Sequence, residues 1–145
     1  MSDKVKVSCL QCGTTNNYPM GSVGRVVVCG RCRTPLPIPG KVLEPSPEKV
    51  YSLLNSGRLP ILIELYTNTC AACQVMQPIV ERLAMRRAGE IMVLRLNAEI
   101  HGELASRLGV QGVPTFVIFS KTTERGRTSG AMSEADFSFW AASLA

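Results

Sequence analysis

Six cysteines fall into three pairs of one spacing, Cys9/Cys12, Cys29/Cys32 and Cys70/Cys73, and no other feature narrows the fold of this chain so far. Two thiols separated by two residues can grip one metal ion from a tight turn, or close on each other as a disulfide. The first two pairs have sixteen residues between them, inside the spacing of a structural zinc site. Gly13 and Gly30 beside these pairs allow the backbone turn that points amides at sulfur. Cys9, Cys12, Cys29 and Cys32 are therefore the candidate ligands of one structural zinc, a closed tetrahedral shell without a catalytic position. Iron in a rubredoxin-like site and a pair of disulfides are the alternatives for the same four residues.

Charge supports a split in the chain. Residues 1–40 carry Lys4, Lys6, Arg25, Arg31 and Arg33 against Asp3 alone, whereas the rest is nearly neutral. The basic side chains are expected to offset metal-bound thiolates, and nucleic acid is not the expected partner. With 46% hydrophobic and 19% charged residues, the composition fits a compact soluble core and argues against disorder. No apolar run reaches the length of a membrane span, and no leader-like stretch follows Met1. A cytoplasmic protein, without a membrane partner, is the expectation. In that reducing compartment six cysteines point to metal binding or redox chemistry.

The segment around the first two pairs, rich in Gly, Asn, Thr and Arg, holds little to build a core. It ends in Thr34-Pro35-Leu36-Pro37-Ile38-Pro39-Gly40, whose prolines mark a linker. The expected organisation is a four-cysteine module with its linker over 1–40 and an α/β domain over 41–145. Val42-Leu43-Glu44 predicts a short first strand. Ser46-Pro47-Glu48 reads as an N-cap, a first-position proline and a first-turn acid, with Val50, Leu53 and Leu54 on the buried face. The nearly continuous apolar run Ile61–Tyr66 predicts a strand covered on both sides. A helix is expected from Ala71 to about Arg87, with Val75, Met76, Ile79, Val80 and Leu83 inward and a kink at Pro78. Beyond it come a buried strand over Ile91–Leu96, a shorter helix using Leu104 and Leu108, and a strand over Thr115–Phe119. The polar stretch to Arg127 is expected as a turn leading into an edge strand. Ser133 caps a last helix that buries Phe137, Trp140 and Leu144. His101 is read as an ordinary helix residue.

Cys70-Ala71-Ala72-Cys73 sits where a buried strand ends and a helix begins. A helix N-terminus stabilises negative charge on the first sulfur, so Cys70 is the expected nucleophile. Cys73, one turn inward, is placed to resolve a mixed disulfide. Once four cysteines fill a metal shell, none remains to make this pair half of another.

With these residues in place the chain resembles the thioredoxin family, and over essentially its full length the bacterial thioredoxin 2 type, which carries an N-terminal zinc module. The likeness rests on the two knuckles, Glu64-Leu65-Tyr66, the CxxC pair with Pro78 five residues on, Arg95-Leu96-Asn97, Gly112-Val113-Pro114-Thr115, and Gly130-Ala131. It implies a thioredoxin fold, a central mixed sheet flanked by helices, behind a small zinc-ribbon-like module. It implies that Pro114 is the cis-proline facing the active-site sulfurs and that Val113 offers backbone to an extended substrate. Tyr66 and Thr69 join them as substrate-facing positions. Glu64 stands at the family's buried aspartate and Arg95 at its partner lysine, which implies a proton-transfer role for Glu64. A simple Glu64–Arg95 ion pair is the alternative.

Thr69, Ala71 and Ala72 depart from the family's usual Trp-Cys-Gly-Pro-Cys. Because proline has no N–H, Ala72 restores a donor expected to aim at the Cys70 thiolate and make the disulfide more oxidising. The expected activity is reduction of disulfides in protein substrates, by a monomer recharged by a thioredoxin reductase and needing no organic cofactor. The alternatives are a more oxidising disulfide oxidase or isomerase, and a zinc-dependent binding module without turnover.

Overall fold

The computed structural model describes residues 4–19, 27–36, 41–56 and 59–145. Two sheets are present among them. A hairpin pairs β1 (Lys4–Ser8) with β2 (Thr15–Pro19), antiparallel. A five-stranded mixed sheet has the order β3-β5-β4-β6-β7. Its strands are β3 (Val42–Leu43), β4 (Ile61–Tyr66), β5 (Met92–Asn97), β6 (Thr115–Ser120) and β7 (Thr123–Ser129). β3, β5 and β4 run parallel, and β6 and β7 add on antiparallel. Four helices complete the element set: α1 (Pro47–Ser56), α2 (Ala71–Arg86), α3 (Gly102–Arg107) and α4 (Glu134–Leu144).

β4 is buried at all six positions, because both of its edges are paired and both of its faces are covered. Side chains alternate across a strand, so β4 feeds two cores. Ile61, Ile63 and Leu65 join Val50, Leu53 and Leu54 of α1, Leu94 and Leu96 of β5, and Leu104 of α3. Leu62 faces the other way, among Met76, Ile79, Val80 and Leu83 of α2, Phe116 and Ile118 of β6, and Phe137 of α4. Each fully buried Leu, Ile or Phe contributes roughly 1.5–3 kcal/mol of transfer free energy. Glu64, on the Leu62 side, is the polar exception.

The inner stripe of α2 differs from the sequence expectation at one residue. Val75 is 58% exposed, whereas Cys73 and Ala84 are buried. At 100° per residue Val75 lies just past Ile79, at the edge of the arc that faces the sheet. The helix runs unbroken through Pro78. The polar stretch Thr123–Arg127 is the edge strand itself, not a turn before it; the turn is Lys121-Thr122, with Lys121 at φ 58°. Gly126 lies where α4 crosses this strand, and a Cβ there would come within 2.7 Å of Leu144 Cδ1. His101 is not an ordinary helix residue: it occupies the position before α3, is 6% exposed, and its Nδ1 has no partner among the described residues. Burial holds its imidazole below the ordinary histidine range.

The N-terminal segment does build a core. Val7, Cys9, Tyr18, Cys29 and Leu36 are buried together. Pro35 bridges to Val28, and the Leu36 N–H donates to the Val27 carbonyl. Thr34-Pro35-Leu36 thus belong to the module and not to a linker; residues 37–40, the rest of the expected linker, lie outside the described residues. The module rests on the α/β domain. Leu10 packs against the α1 core, and Lys49 Nζ donates to the Leu10 carbonyl at 3.3 Å and to Gln11 Oε1 at 3.2 Å.

Phe137 packs its ring 4.8 Å from Phe116 and 5.8 Å from Trp140. Phe137→Ala is expected to lower the unfolding free energy by about 3–5 kcal/mol. Val75→Ala, on the exposed side of α2, should change it by no more than about 0.5 kcal/mol. Urea titrations of both variants check the pair; a large loss at Val75 would contradict its exposed placement.

Candidate functional site

Cys70 is the N-cap of α2, with extended backbone dihedrals, and Ala71 opens the helix. Its Sγ accepts the Cys73 N–H at 3.0 Å. This is the ordinary bond between an N-cap side chain and the third helical N–H, made here by sulfur. Ala72, the donor expected from the sequence, does not make this bond: helical geometry gives it to Cys73, whose N–H is present whatever residue occupies position 72. Cys70 and Cys73 are joined as a disulfide, with Cα atoms 5.2 Å apart. Cys70 is half-buried and Cys73 buried, so a partner molecule can reach only the first sulfur. The helix dipole stabilises negative charge on that sulfur.

The sheet register sets what surrounds the pair. Leu65 of β4 lies opposite Thr115 of β6, so the loop before β6 comes to the end of the sheet where β4 leads into α2. The Val113–Pro114 bond is cis. Thr115 Oγ1 donates to the Gly112 carbonyl at 2.6 Å, and the Pro114 carbonyl accepts the Gly130 N–H at 2.9 Å. Beside it an open groove of about 410 Å3 is lined by Thr67, Ala98, Gly102, Ala105, Gly112 and Val113 among others. Thr69 is exposed, Val113 half-buried and Pro114 buried. Tyr66 is 8% exposed and its hydroxyl donates to Glu44 Oε2 at 3.2 Å.

Glu64 is fully buried. It pairs in register with Arg95 of β5, whose Nε donates to Glu64 Oε1 at 3.2 Å. Glu64 Oε2 has no partner among the described residues. Burial outweighs the attraction of Arg95 and pushes the carboxyl up to about 7. Glu44 was not among the sequence candidates. It sits just past β3, and only the β3–β5 register brings it beside Arg95, so no local sequence signal marks it.

In the N-terminal module the four Sγ atoms of Cys9, Cys12, Cys29 and Cys32 lie within 4.8 Å of one another. Cys9 to Cys32 is 3.5 Å and Cys12 to Cys29 is 3.7 Å. A tetrahedral zinc with bonds near 2.3 Å separates its sulfurs by about 3.8 Å, so the donor set fits a metal. All four are free thiols, which is not the arrangement of two disulfides.

The two knuckles are built alike. Cys9 N–H meets the Thr14 carbonyl and Cys29 N–H the Thr34 carbonyl, both at 2.8 Å. Gln11 N–H and Arg31 N–H each lie 3.4 Å from the first sulfur of their pair. Gly13 and Arg33, one residue past each pair, take positive φ of 76° and 65°. In the second knuckle the left-handed residue is Arg33 and not the expected Gly30, against the usual steric preference. Asn16, missed from sequence, ties the knuckles together: its side chain accepts the Gly30 N–H at 2.9 Å and donates to Cys29 Sγ at 3.5 Å. Hydrogen bonds from the Cys32 N–H and Asn16 hold the Cys29 thiol down at about 6.

A CxxC pair capping a helix at the end of a mixed sheet, with a cis-proline loop alongside, defines a thiol–disulfide oxidoreductase. Residues 41–143 match the thioredoxin family model, and the chain belongs to the thioredoxin family. Thioredoxin C-3 of Corynebacterium nephridii is 27% identical over 134 residues, 92% of this chain and 91% of that protein, a span that reaches into the cysteine-bearing N-terminal segment. Thioredoxin 1 of Chlorobaculum tepidum is 30% identical over 80 residues, 55% of this chain and 79% of its own. Among solved structures, spinach chloroplast thioredoxin f in its short form superposes with a TM-score of 0.66 at 28% identity, covering 75% of this chain and 98% of that one. A mutant thioredoxin from Halobacterium salinarum gives 0.66 at 25% identity, covering 73% and 92%. Among the described residues no helix is long and apolar enough to cross a membrane.

Glu64 generates a stability test. Its carboxyl is raised from 4.5 to about 7 on folding, so the folded state holds the proton more tightly than the unfolded chain. The associated stability is fully present below about pH 4.5 and is lost as pH rises through about 7. The loss amounts to something on the order of 3 kcal/mol. Glu64→Gln, which cannot ionise, should remove this decline between pH 4.5 and 7. Denaturant midpoints across that window measure it, and an identical slope in both proteins would contradict the burial argument.

Proposed function

We propose that this chain reduces disulfide bonds in protein substrates, with Cys70 as nucleophile and Cys73 as resolving cysteine. The observation that carries the reading is the asymmetry of the pair: an accessible sulfur on a helix N-terminus bonded to a buried one. In the reduced protein the Cys70 thiolate attacks one sulfur of the substrate disulfide and expels the other as a thiolate. Cys73 then gives its proton to Glu64 and attacks the Cys70 sulfur. The Cys70–substrate bond breaks, the second substrate sulfur leaves as a thiolate, and the proton returns to it. The protein dithiol is oxidised and the substrate disulfide reduced, with two electrons passed and no other reagent. Glu64 suits this part because its carboxyl titrates near 7 and keeps one oxygen unpaired.

The proposed substrate surface is Thr69, Val113 and Pro114, with the groove beside them receiving extended backbone. Tyr66 supports it from beneath, since its ring is buried. The proposal includes a cytoplasmic monomer of the thioredoxin 2 type, recharged by a thioredoxin reductase. It divides the chain into a module over 1–40 and a domain over 41–145. Cys9, Cys12, Cys29 and Cys32 would hold one zinc, which supplies structural cross-linking when bound.

Mixed-disulfide trapping tests the roles of the pair. Cys73→Ser should accumulate covalent Cys70–substrate adducts with insulin, whereas Cys70→Ser should form none. Equal trapping by both variants would overturn the assignment. Elemental analysis should find one zinc per chain, reduced severalfold by Cys29→Ser, and chelation should lower the melting temperature of the module. A full zinc content in Cys29→Ser would refute the four-thiolate site.

A further inference from the structure

Three parallel strands bring three charged residues into one row. Leu43 of β3 and Ile63 of β4 both pair with Leu94 of β5, and the next residues along are Glu44, Glu64 and Arg95. The Arg95 guanidinium lies between the two carboxylates. Nε donates to Glu64 Oε1 at 3.2 Å and Nη1 to Glu44 Oε1 at 3.3 Å. Tyr66, two residues past Glu64 on the same face of β4, carries the guanidinium on its ring, 3.8 Å from the centroid. Its hydroxyl also donates to the other Glu44 oxygen at 3.2 Å.

A guanidinium beside a single carboxylate can give it two parallel N–H bonds. Here Glu64 receives one, and its second oxygen stays unpaired although the residue is fully buried. Stacking on Tyr66 fixes the plane of Arg95, and Glu44 takes the Nη1 prong. Glu44 is itself 55% exposed and is held in place by the Tyr66 hydroxyl. We propose that Glu44 and Tyr66 act together as positioning residues that divide Arg95 between two carboxylates, leaving Glu64 one oxygen free to take and return the exchanging proton. This rests on the proton-transfer reading of Glu64 and adds the device that keeps its carboxyl available.

The direction of the effect is fixed by charge. The groups that act on Glu64 are Arg95 from β5, Glu44 after β3 and Glu81 from α2, with the Tyr66 phenol on its own strand. Glu44 favours the protonated form of Glu64 in two ways. Its own charge opposes a second carboxylate nearby, and it draws off part of the Arg95 charge. Removing that charge lets Arg95 turn its fork onto Glu64 and stabilise the ionised form.

Two readouts on the full-length reduced protein test this: the titration of the Glu64 carboxyl by carbon-13 NMR with glutamate labelling, and the pH profile of insulin reduction. Glu44→Gln should lower the Glu64 midpoint by roughly one pH unit and move the rate profile the same way. Tyr66→Phe, which keeps the ring but frees Glu44, should give a smaller shift of the same sign. Glu44→Asp, which restores the charge, should bring the midpoint back toward that of the parent protein. A Glu64 midpoint unmoved in Glu44→Gln overturns the proposal. Glu64→Gln separates the two readings. If its pH–rate profile matches the parent's, proton transfer by Glu64 is wrong, and an NMR midpoint that still moves in Glu44→Gln upholds the division of Arg95 alone.

Discussion

Everything in the α/β domain is hung on β4, the central strand of the sheet, with hydrogen-bonded neighbours on both edges and helices on both faces. Its position satisfies the backbone without water and lets each residue add apolar area to one of two cores. That burial locks the register, because a slip of one residue would exchange Glu64 for an apolar side chain on the wrong face. The same lock fixes where β4 ends, and so where the cysteine-bearing helix begins. A catalytic sulfur at a helix N-terminus is of use only if that terminus is held still. The strand behind it supplies the constraint.

Burying a carboxylate in such a strand is costly unless it is paired. In this chain the pairing is incomplete by geometry, since one guanidinium serves two acids and an aromatic ring. The result is a carboxyl folded into the core, held up at about 7 by burial, with one oxygen unpaired among the described residues. The sheet accepts a polar atom that packing alone would have removed.

The large elements were legible because their signals are local. The continuous apolar run of Ile61–Tyr66, the Ser46-Pro47-Glu48 start and the Ser133 cap each state their structure within a few residues. The cysteine pairs were legible because their spacing is itself chemical information. What escaped was tertiary. Val75 looked inward because it is apolar, yet it falls at the edge of an arc that only the sheet's placement defines. Thr123–Arg127 looked like a turn because it is polar, although a strand with one unpaired edge can be polar at nearly every position. Glu44 and Asn16 became visible only when strand register and knuckle pairing brought distant segments together. Arg33 escaped for another reason: non-glycine residues at positive φ give no warning in the sequence.

Among the described residues the main sheet has two unpaired borders. One is β3, only two residues long. The other is β7, where Glu124, Arg125 and Arg127 crowd five positions and the register against β6 shifts between Ile118 and Phe119. Neither border offers a long, flat, apolar row of amides to a passing chain. An open border would pair with any strand-forming segment that met it and seed a growing aggregate. With both borders blunted, the sheet gives a passing strand no edge on which to add.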